Sequence, residues 1–303
     1  MPRPRSRVVV RAPAKLNLHL SVGPLRSDGF HDLTTVFHAV SLVDEVTATA
    51  ASELSLSVEG EGDVPTDERN LAWRAAALLA EHTGRAPAVA LHVRKSIPVA
   101  GGCAGGSADA AAALVACDAL WGTGMTKDGL AALAARLGSD VPFSLHGGTA
   151  LGTGRGEQLT PVLERGRWSW VLALSDTRLS TPAVYAELDR LRDTGPVRMS
   201  ADPADVLSAV RAGDAVGLGR ALHNDLQPAA LSLAPQLRRV LAAGRELGAL
   251  GCVVSGSGPT VAMLAADPDA ADGLAAELAA EGVCRAVRRA DGAVPGARVV
   301  EAG

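Results

Sequence analysis

The stretch Pro98-Val99-Ala100-Gly101-Gly102-Cys103-Ala104-Gly105-Gly106-Ser107-Ala108 constrains the fold of this chain more than any other. Its four glycines remove side chains that would keep a backbone from wrapping an anion, and they admit the positive φ values that turn successive N–H groups toward one point. A strand pattern, Val89-Leu91-Val93, leads in through Lys95 and Ile97. From Ser107 the chain reads as a helix, with apolar residues at 110, 113, 114, 117, 120 and 121 on one face. The free N–H groups and positive dipole end of such a helix open onto the loop, which is how phosphates are held. Taken alone, the loop is equally well a tight strand-to-helix turn. Gly101-x4-Gly106 has the Walker spacing, but Ser107 stands where that motif has its lysine, and no G-x-G-x-x-G is present.

Charge bounds what such a loop can hold. The formal net charge is −4 with no run of like charges, which leaves no electrostatic footprint for nucleic acid or an anionic membrane. A small molecule gripped locally is the expected partner, with no obligate protein partner evident. Four cysteines at 103, 117, 252 and 284 show neither disulfide nor zinc spacing. Arg11 and Lys15 interrupt any signal-peptide core, and the longest uncharged stretch, 247–266, is broken by four glycines and a proline. A cytoplasmic protein is expected. At 303 residues the chain is long enough for two domains or one large one, and a division into 1–160 and 161–303 is expected after the glycine-rich run 147–156 and Pro161.

Only three of 29 basic residues are lysines (15, 95 and 127), so a lysine here marks a place where a compact ammonium is wanted. In a strand over 8–20, Ala14, Leu16, Leu18 and Leu20 face one way and Lys15, Asn17 and His19 the other. That polar face is either solvated or functional. Arg26-Ser27-Asp28-Gly29-Phe30-His31 forms a turn before an apolar stretch through Phe37. Strands are expected at 46–50 and 53–59. Asn70 caps a helix through Ala80, and Thr126 caps another that ends at Gly138. Asp140 reads as the N-cap of a short helix containing Pro142. After a strand at 168–174, Thr181 caps a helix carrying Tyr185. Helical patterns then cover 203–222 and 234–247, separated by His223-Asn224-Asp225-Leu226. A second glycine-rich turn, Ser255-Gly256-Ser257-Gly258-Pro259-Thr260, joins strands ending at Val254 and starting at 261. A helix near 268–281 and strands near 283–287 and 297–300 close the chain.

Pro13-Ala14-Lys15-Leu16-Asn17-Leu18, the loop 98–108 and the turn 255–260 together resemble, in order and spacing, the three motifs of the GHMP small-molecule kinases. The match spans nearly the whole chain. The segment 26–31, the run Gly105-Gly106-Ser107-Ala108-Asp109 and Gly138-Ser139-Asp140-Val141-Pro142 resemble the branch acting on 4-diphosphocytidyl-2-C-methyl-D-erythritol. The resemblance implies a two-domain α+β fold. Its N-terminal nucleotide-binding domain is of the ribosomal-protein-like left-handed βαβ type. The C-terminal domain is a ferredoxin-like α/β plait, with a return of the last strand to the first domain left open. It implies ATP as phosphoryl donor with Mg²⁺, and transfer to the 2-hydroxyl of the methylerythritol moiety, in the non-mevalonate route to isoprenoid precursors.

By the same resemblance Lys15 and Asp140 are catalytic. The loop residues 98–108 with Lys95 and Asn70 bind ATP. Asn17, Phe30, His31, Phe37, Thr181, Tyr185, Gly256, Ser257 and Gly258 bind the cytidyl substrate, and Ser107 is the candidate contact on the Mg²⁺ side. Two departures stand out. The family pattern G-L-G-G-G-S-S is here Gly102-Cys103-Ala104-Gly105-Gly106-Ser107-Ala108, where an alanine is admissible at negative φ. Phe30 replaces the commoner Tyr and keeps its stacking face. The alternatives are a homoserine- or mevalonate-type kinase of the same group, or a non-catalytic relative that binds nucleotide or metabolite.

Overall fold

A computed structural model describes residues 5–99, 101–194 and 202–303. In chain order the first half runs β1 (Arg7–Leu25), β2 (His31–Ala50), β3 (Ser55–Glu59), α1 (Leu71–His82), β4 (Val89–Arg94), α2 (Gly105–Trp121), α3 (Lys127–Leu137), α4 (Val141–His146), β5 (Thr149–Thr153) and β6 (Gln158–Pro161). The second half runs β7 (Trp168–Leu174), α5 (Thr181–Thr194), α6 (Ala204–Ala212), α7 (Ala215–Ala221), β8 (His223–Asn224), α8 (Gln227–Leu233), α9 (Leu237–Glu246), β9 (Gly251–Val254), β10 (Val261–Ala265), α10 (Pro268–Glu281), β11 (Ala286–Gly292) and β12 (Arg298–Ala302). No helix among the described residues is long and apolar enough to cross a membrane.

One twelve-stranded sheet has the backbone order β12-β1-β2-β11-β7-β10-β9, with β4 and β5 branching from β2. β1 and β2 form the long antiparallel pair on which everything else is hung, with Asn17 opposite Phe37 and Lys15 opposite Ala39. The alternation expected along 8–20 is present, but its polar face is not solvated: Lys15, Asn17 and His19 are all buried. Burial, with the nearby His223, takes the His19 imidazole down to about 4. Burying such a row costs free energy that solvent exposure would not, so this face serves something other than solubility.

Three expectations need correction. α2 is not an amphipathic helix with one apolar face: Ala108, Ala110, Ala111, Ala112 and Ala113 are all fully buried around its circumference. Alanine makes this possible, because its small side chain lets β1, β2, α1 and α4 approach the helix from different sides. The helical pattern over 203–222 is broken into α6 and α7, since Gly213 adopts φ 73° and Asp214 caps the second helix through Gly217 N at 2.9 Å. Thr181 is the first residue of α5 and not its cap, the Ser180 hydroxyl instead accepting from Ala183 N at 3.4 Å.

The apolar core is in three parts. The largest fills the space between α1–α3 and the β1–β2–β4 region and continues under α6 and α7 against β7, β9 and β10. A second lies under α5, α9 and α10, against β7 and β10. A small third, Phe37, Ala39, Phe143 and Ala150, supports the floor of the cavity described next.

Candidate active site

The polar row of β1 begins the site. Lys15 Nζ donates to Asn17 Oδ1 at 2.7 Å, Asn17 Nδ2 to Thr35 Oγ1 at 2.8 Å, and the Thr35 hydroxyl to the His19 carbonyl at 2.7 Å. The ammonium is thereby held in one orientation by a relay that ends on backbone. It lies 5.5 Å from the centroid of Phe37, which is itself stacked on Phe143 at 4.9 Å. Cation–π contact with the buried ring adds to the hold on the ammonium there.

Asp140 faces this ammonium at 3.5 Å, through Oδ2. It occupies the N-cap position of α4 yet makes no side-chain cap hydrogen bond. The capping role that its sequence position suggests is therefore not performed. A carboxylate that could satisfy a helix terminus is instead turned toward a lysine and remains about a third exposed to the cavity.

The glycine loop closes over the same point. Lys15 N donates to Cys103 O at 3.2 Å, the Ser255 hydroxyl to Gly102 O at 3.1 Å, and Thr260 N to Gly101 O at 3.3 Å. The two glycine-rich turns are thus locked against each other. Asn224, read in the sequence only as a break between helices, fixes the second turn by donating from Nδ2 to Val254 O and Gly256 O, both at 2.7 Å. Glycine is favoured at 256: a Cβ would stand 3.2 Å from Lys15 Nζ and 3.3 Å from Asn17 Oδ1, crowding both, at a φ of 54°.

Pro98, Val99, Gly101, Gly102, Ala104, Gly105, Gly106 and Ser107 line the cavity. Cys103 and Ala108 are fully buried and do not line it. Ala100 lies outside the described residues. Ala104 corrects an expectation: it has φ 58° and ψ 35°, the only positive φ among the described non-glycine residues, in the position preceding α2. Burial pushes the Cys103 thiol above its usual range, with Lys15 opposing, so it is a packing group and not a reactive one.

The two remaining nucleotide-side candidates are otherwise engaged. Asn70 caps α1, its Oδ1 accepting from Ala72 N at 2.8 Å and its Nδ2 donating to Pro65 O at 2.7 Å, and it does not line the cavity. Lys95 reaches the cavity's edge, but its ammonium is bound by the carboxylates of Asp44 and Asp109, the latter at 2.7 Å. Burial would lower the lysine, yet these two charges hold it above the usual range. Neither acid was singled out by the sequence.

The opposite wall comes from the 26–31 turn and α5. Pro182, Tyr185, Ala186 and Asp189 all line the cavity, spaced as one helical face. The His31 ring centroid is 5.1 Å from that of Tyr185, and His31 Nε2 is 3.0 Å from Asp189 Oδ1. Phe30 is half exposed, with the Arg155 guanidinium 4.9 Å above its ring. The Thr181 hydroxyl pairs with that of Ser257 at 3.0 Å, tying α5 to the second glycine turn. Burial, and the nearby Asp140 charge, hold the Tyr185 hydroxyl protonated well above its ordinary range.

Asp189 and Arg155 were missed by the sequence reading. Asp189 could have been found four residues after Tyr185, and Arg155 as the lone charge among the glycines of 147–156.

These walls enclose one cleft of about 990 Å³. It is large enough for two sizeable ligands end to end, by comparison with ordinary small-molecule sites. Among the described residues, no group of three or more His, Cys, Asp or Glu is placed to hold a metal ion. The Ser107 hydroxyl and Asp140 carboxylate do face the cleft, and that donor set fits Mg²⁺, which keeps several waters and takes one or two protein ligands beside phosphate oxygens.

Known proteins resemble this chain over nearly its whole length. Residues 70–148 match the model of the GHMP kinases N terminal domain, and residues 206–284 that of the GHMP kinases C terminal domain. A Nocardia farcinica protein named 4-diphosphocytidyl-2-C-methyl-D-erythritol kinase is 59% identical over 98% of this chain and 97% of its own length. A Mycobacterium tuberculosis protein of the same name is 59% identical over 99% of this chain and 95% of its own length. Among solved structures, a 4-(cytidine 5'-diphospho)-2C-methyl-D-erythritol kinase superposes with a TM-score of 0.77 at 36% identity, covering 93% of this chain and 98% of that one. A homoserine kinase from Cytophaga hutchinsonii reaches the same TM-score at 20% identity, covering 99% of both chains, which is a likeness of fold alone.

Proposed function

The chain belongs to the GHMP kinase family, alongside relatives named 4-diphosphocytidyl-2-C-methyl-D-erythritol kinase, and on that premise we propose that it transfers the terminal phosphoryl group of ATP to the 2-hydroxyl of that substrate. The observation that carries the reading is the Lys15–Asp140 pair, held by Asn17 between a glycine-walled anion cradle and an aromatic wall. The triphosphate lies along residues 98–108, held by backbone N–H groups and the start of α2. Lys95 and Asn70 support that side indirectly, by fixing the ends of α2 and α1. The cytidyl end lies between Phe30 and Tyr185, with His31 and Thr181 as polar contacts. Phe37 forms the floor beside Lys15, and Asn17, Gly256, Ser257 and Gly258 face the end that reacts.

The chemistry follows from these positions. Asp140 takes the proton of the 2-hydroxyl as that oxygen bonds to the γ-phosphorus and the bond from that phosphorus to the β,γ-bridging oxygen breaks, its electron pair leaving with ADP; the base role is worth about 10²–10⁴-fold in rate. Lys15 stabilises the negative charge that grows on the oxygen and on the transferred group, and its burial makes that interaction stronger than in water. Ser107 and Asp140 are the residues that would hold Mg²⁺, which would supply charge neutralisation at the phosphates. We further place the division between the two domains near residue 160. The setting is the cytoplasm, consistent with four free cysteines.

The test is a turnover assay of purified protein with ATP, Mg²⁺ and a panel of acceptors. Turnover on the cytidyl substrate is expected to exceed that on homoserine or mevalonate; the reverse order overturns the substrate. The variant Asp140→Asn is expected to lose at least about 100-fold in kcat with ATP affinity retained, and near-normal turnover removes Asp140 from the base role.

A further inference from the structure

The His31–Asp189 contact joins the start of β2 to α5 within one wall of the cleft. His31 is the first residue of β2 and is almost fully buried, whereas Asp189 belongs to α5 in the other half of the chain. Among the described residues, this 3.0 Å contact is the only hydrogen bond the imidazole makes, and it is made by Nε2. The other ring nitrogen, Nδ1, is not among the buried polar atoms lacking a partner, and His31 lines the cleft. A carboxylate accepts and does not donate, so it holds a neutral imidazole in the tautomer with hydrogen on Nε2. Nδ1 is then a lone-pair acceptor presented to whatever lies between Phe30 and Tyr185.

Resting on the function proposed above, we propose that Asp189 is a positioning residue that sets base specificity through His31. Fixed as an acceptor, Nδ1 pairs with an exocyclic amine such as that of cytosine, and it repels the carbonyl oxygen that uracil carries at the same place. Discrimination arises because the mismatched base leaves two acceptors facing each other in a buried site. The helix register supports this. Tyr185 and Asp189 are four residues apart on one face, so the group that packs against the His31 ring and the group that orients it move together.

The experiment compares cytidyl and uridyl forms of the substrate with the full-length chain at about pH 8, where an imidazole is ordinarily neutral. Wild-type turnover of the cytidyl form is established first, since its absence counts against the proposed function and not against this inference. In Asp189→Ala the preference for cytidyl over uridyl substrate, taken as kcat/KM, should fall about tenfold or more, mainly through KM for the cytidyl form and with KM for ATP unchanged. An unchanged preference, or an equal rise in both KM values, overturns the inference. Should that variant not fold, ¹⁵N chemical shifts of the His31 ring in the wild type decide. The Nε2–H tautomer is expected, and the Nδ1–H tautomer overturns it.

Discussion

Ala104 carries a backbone conformation that a side chain resists. At φ 58° and ψ 35° it sits in the left-handed region, where an L-residue pays about 1–2 kcal/mol relative to glycine's freedom. The strain falls where the glycine loop turns into α2, so that the first helical N–H groups face the cleft. Ala104→Gly removes the steric term but adds chain entropy to the unfolded state, which returns roughly 0.5–1 kcal/mol. The expected net effect is a gain of up to about 1 kcal/mol, read as a higher urea midpoint with the slope unchanged. Ala104→Val should do the opposite, because branching at Cβ is least tolerated at positive φ. A midpoint that falls in the glycine variant would show that the loop relaxes its strain in solution.

At the scale of elements, the phosphate loop is anchored by a buried triad. Asp44 near the end of β2 accepts from Ser96 N and Ile97 N at 2.6 and 2.8 Å, and the Lys95 ammonium joins it to Asp109 in the first turns of α2. Two carboxylates share one ammonium, and Asp109 Oδ1 is buried without a partner. Burial is the largest influence on Asp109 and pushes it up to about 7, Asp44 adding to the rise and Lys95 opposing it. An acid raised in the folded state favours folding while protonated, so its contribution is complete below about pH 4 and is lost as pH rises to about 7. Asp109→Asn mimics the protonated form at every pH. Its stability relative to the wild type should therefore rise across pH 4–7, measured by urea unfolding at each pH; a flat difference would mean that Asp109 titrates normally. None of this was legible in the sequence, because Lys95 and Asp44 are 51 residues apart and no local pattern joins them. The strand around Lys15 was legible, since alternation there is a property of neighbouring residues. The all-round burial of α2 was not, since alanine fits an amphipathic pattern and a buried one equally well.

For the molecule as a whole, the site exists because distant segments are brought to one place. β11 pairs with both β7 and β2, and β12 pairs with β1, so the second half of the chain is sewn into the sheet that carries Lys15. The two glycine-rich turns, recognisable separately in the sequence, meet across 153 residues through Ser255 and Gly102. What the sequence could not show is how little room their meeting leaves. A Cβ on Gly102 would come within 2.1 Å of Ser255 O and 3.0 Å of Gly258 N, both backbone atoms that yield only if a turn moves, and φ 76° adds strain. Gly102→Ala should therefore separate the turns and displace the loop from Lys15 and Asp140. A misplacement of about 1 Å costs on the order of 100-fold in rate. The three cores hold most of their residues outside the two turns, so kcat/KM is expected to fall by about that factor while unfolding remains cooperative. Gly273→Ala supplies the contrast. It is exposed within α10, nothing stands within 4 Å of its would-be Cβ, and the change should raise stability by about 0.5–1 kcal/mol with turnover unchanged. If Gly102→Ala keeps wild-type turnover, the contact between the turns is not what aligns the cleft.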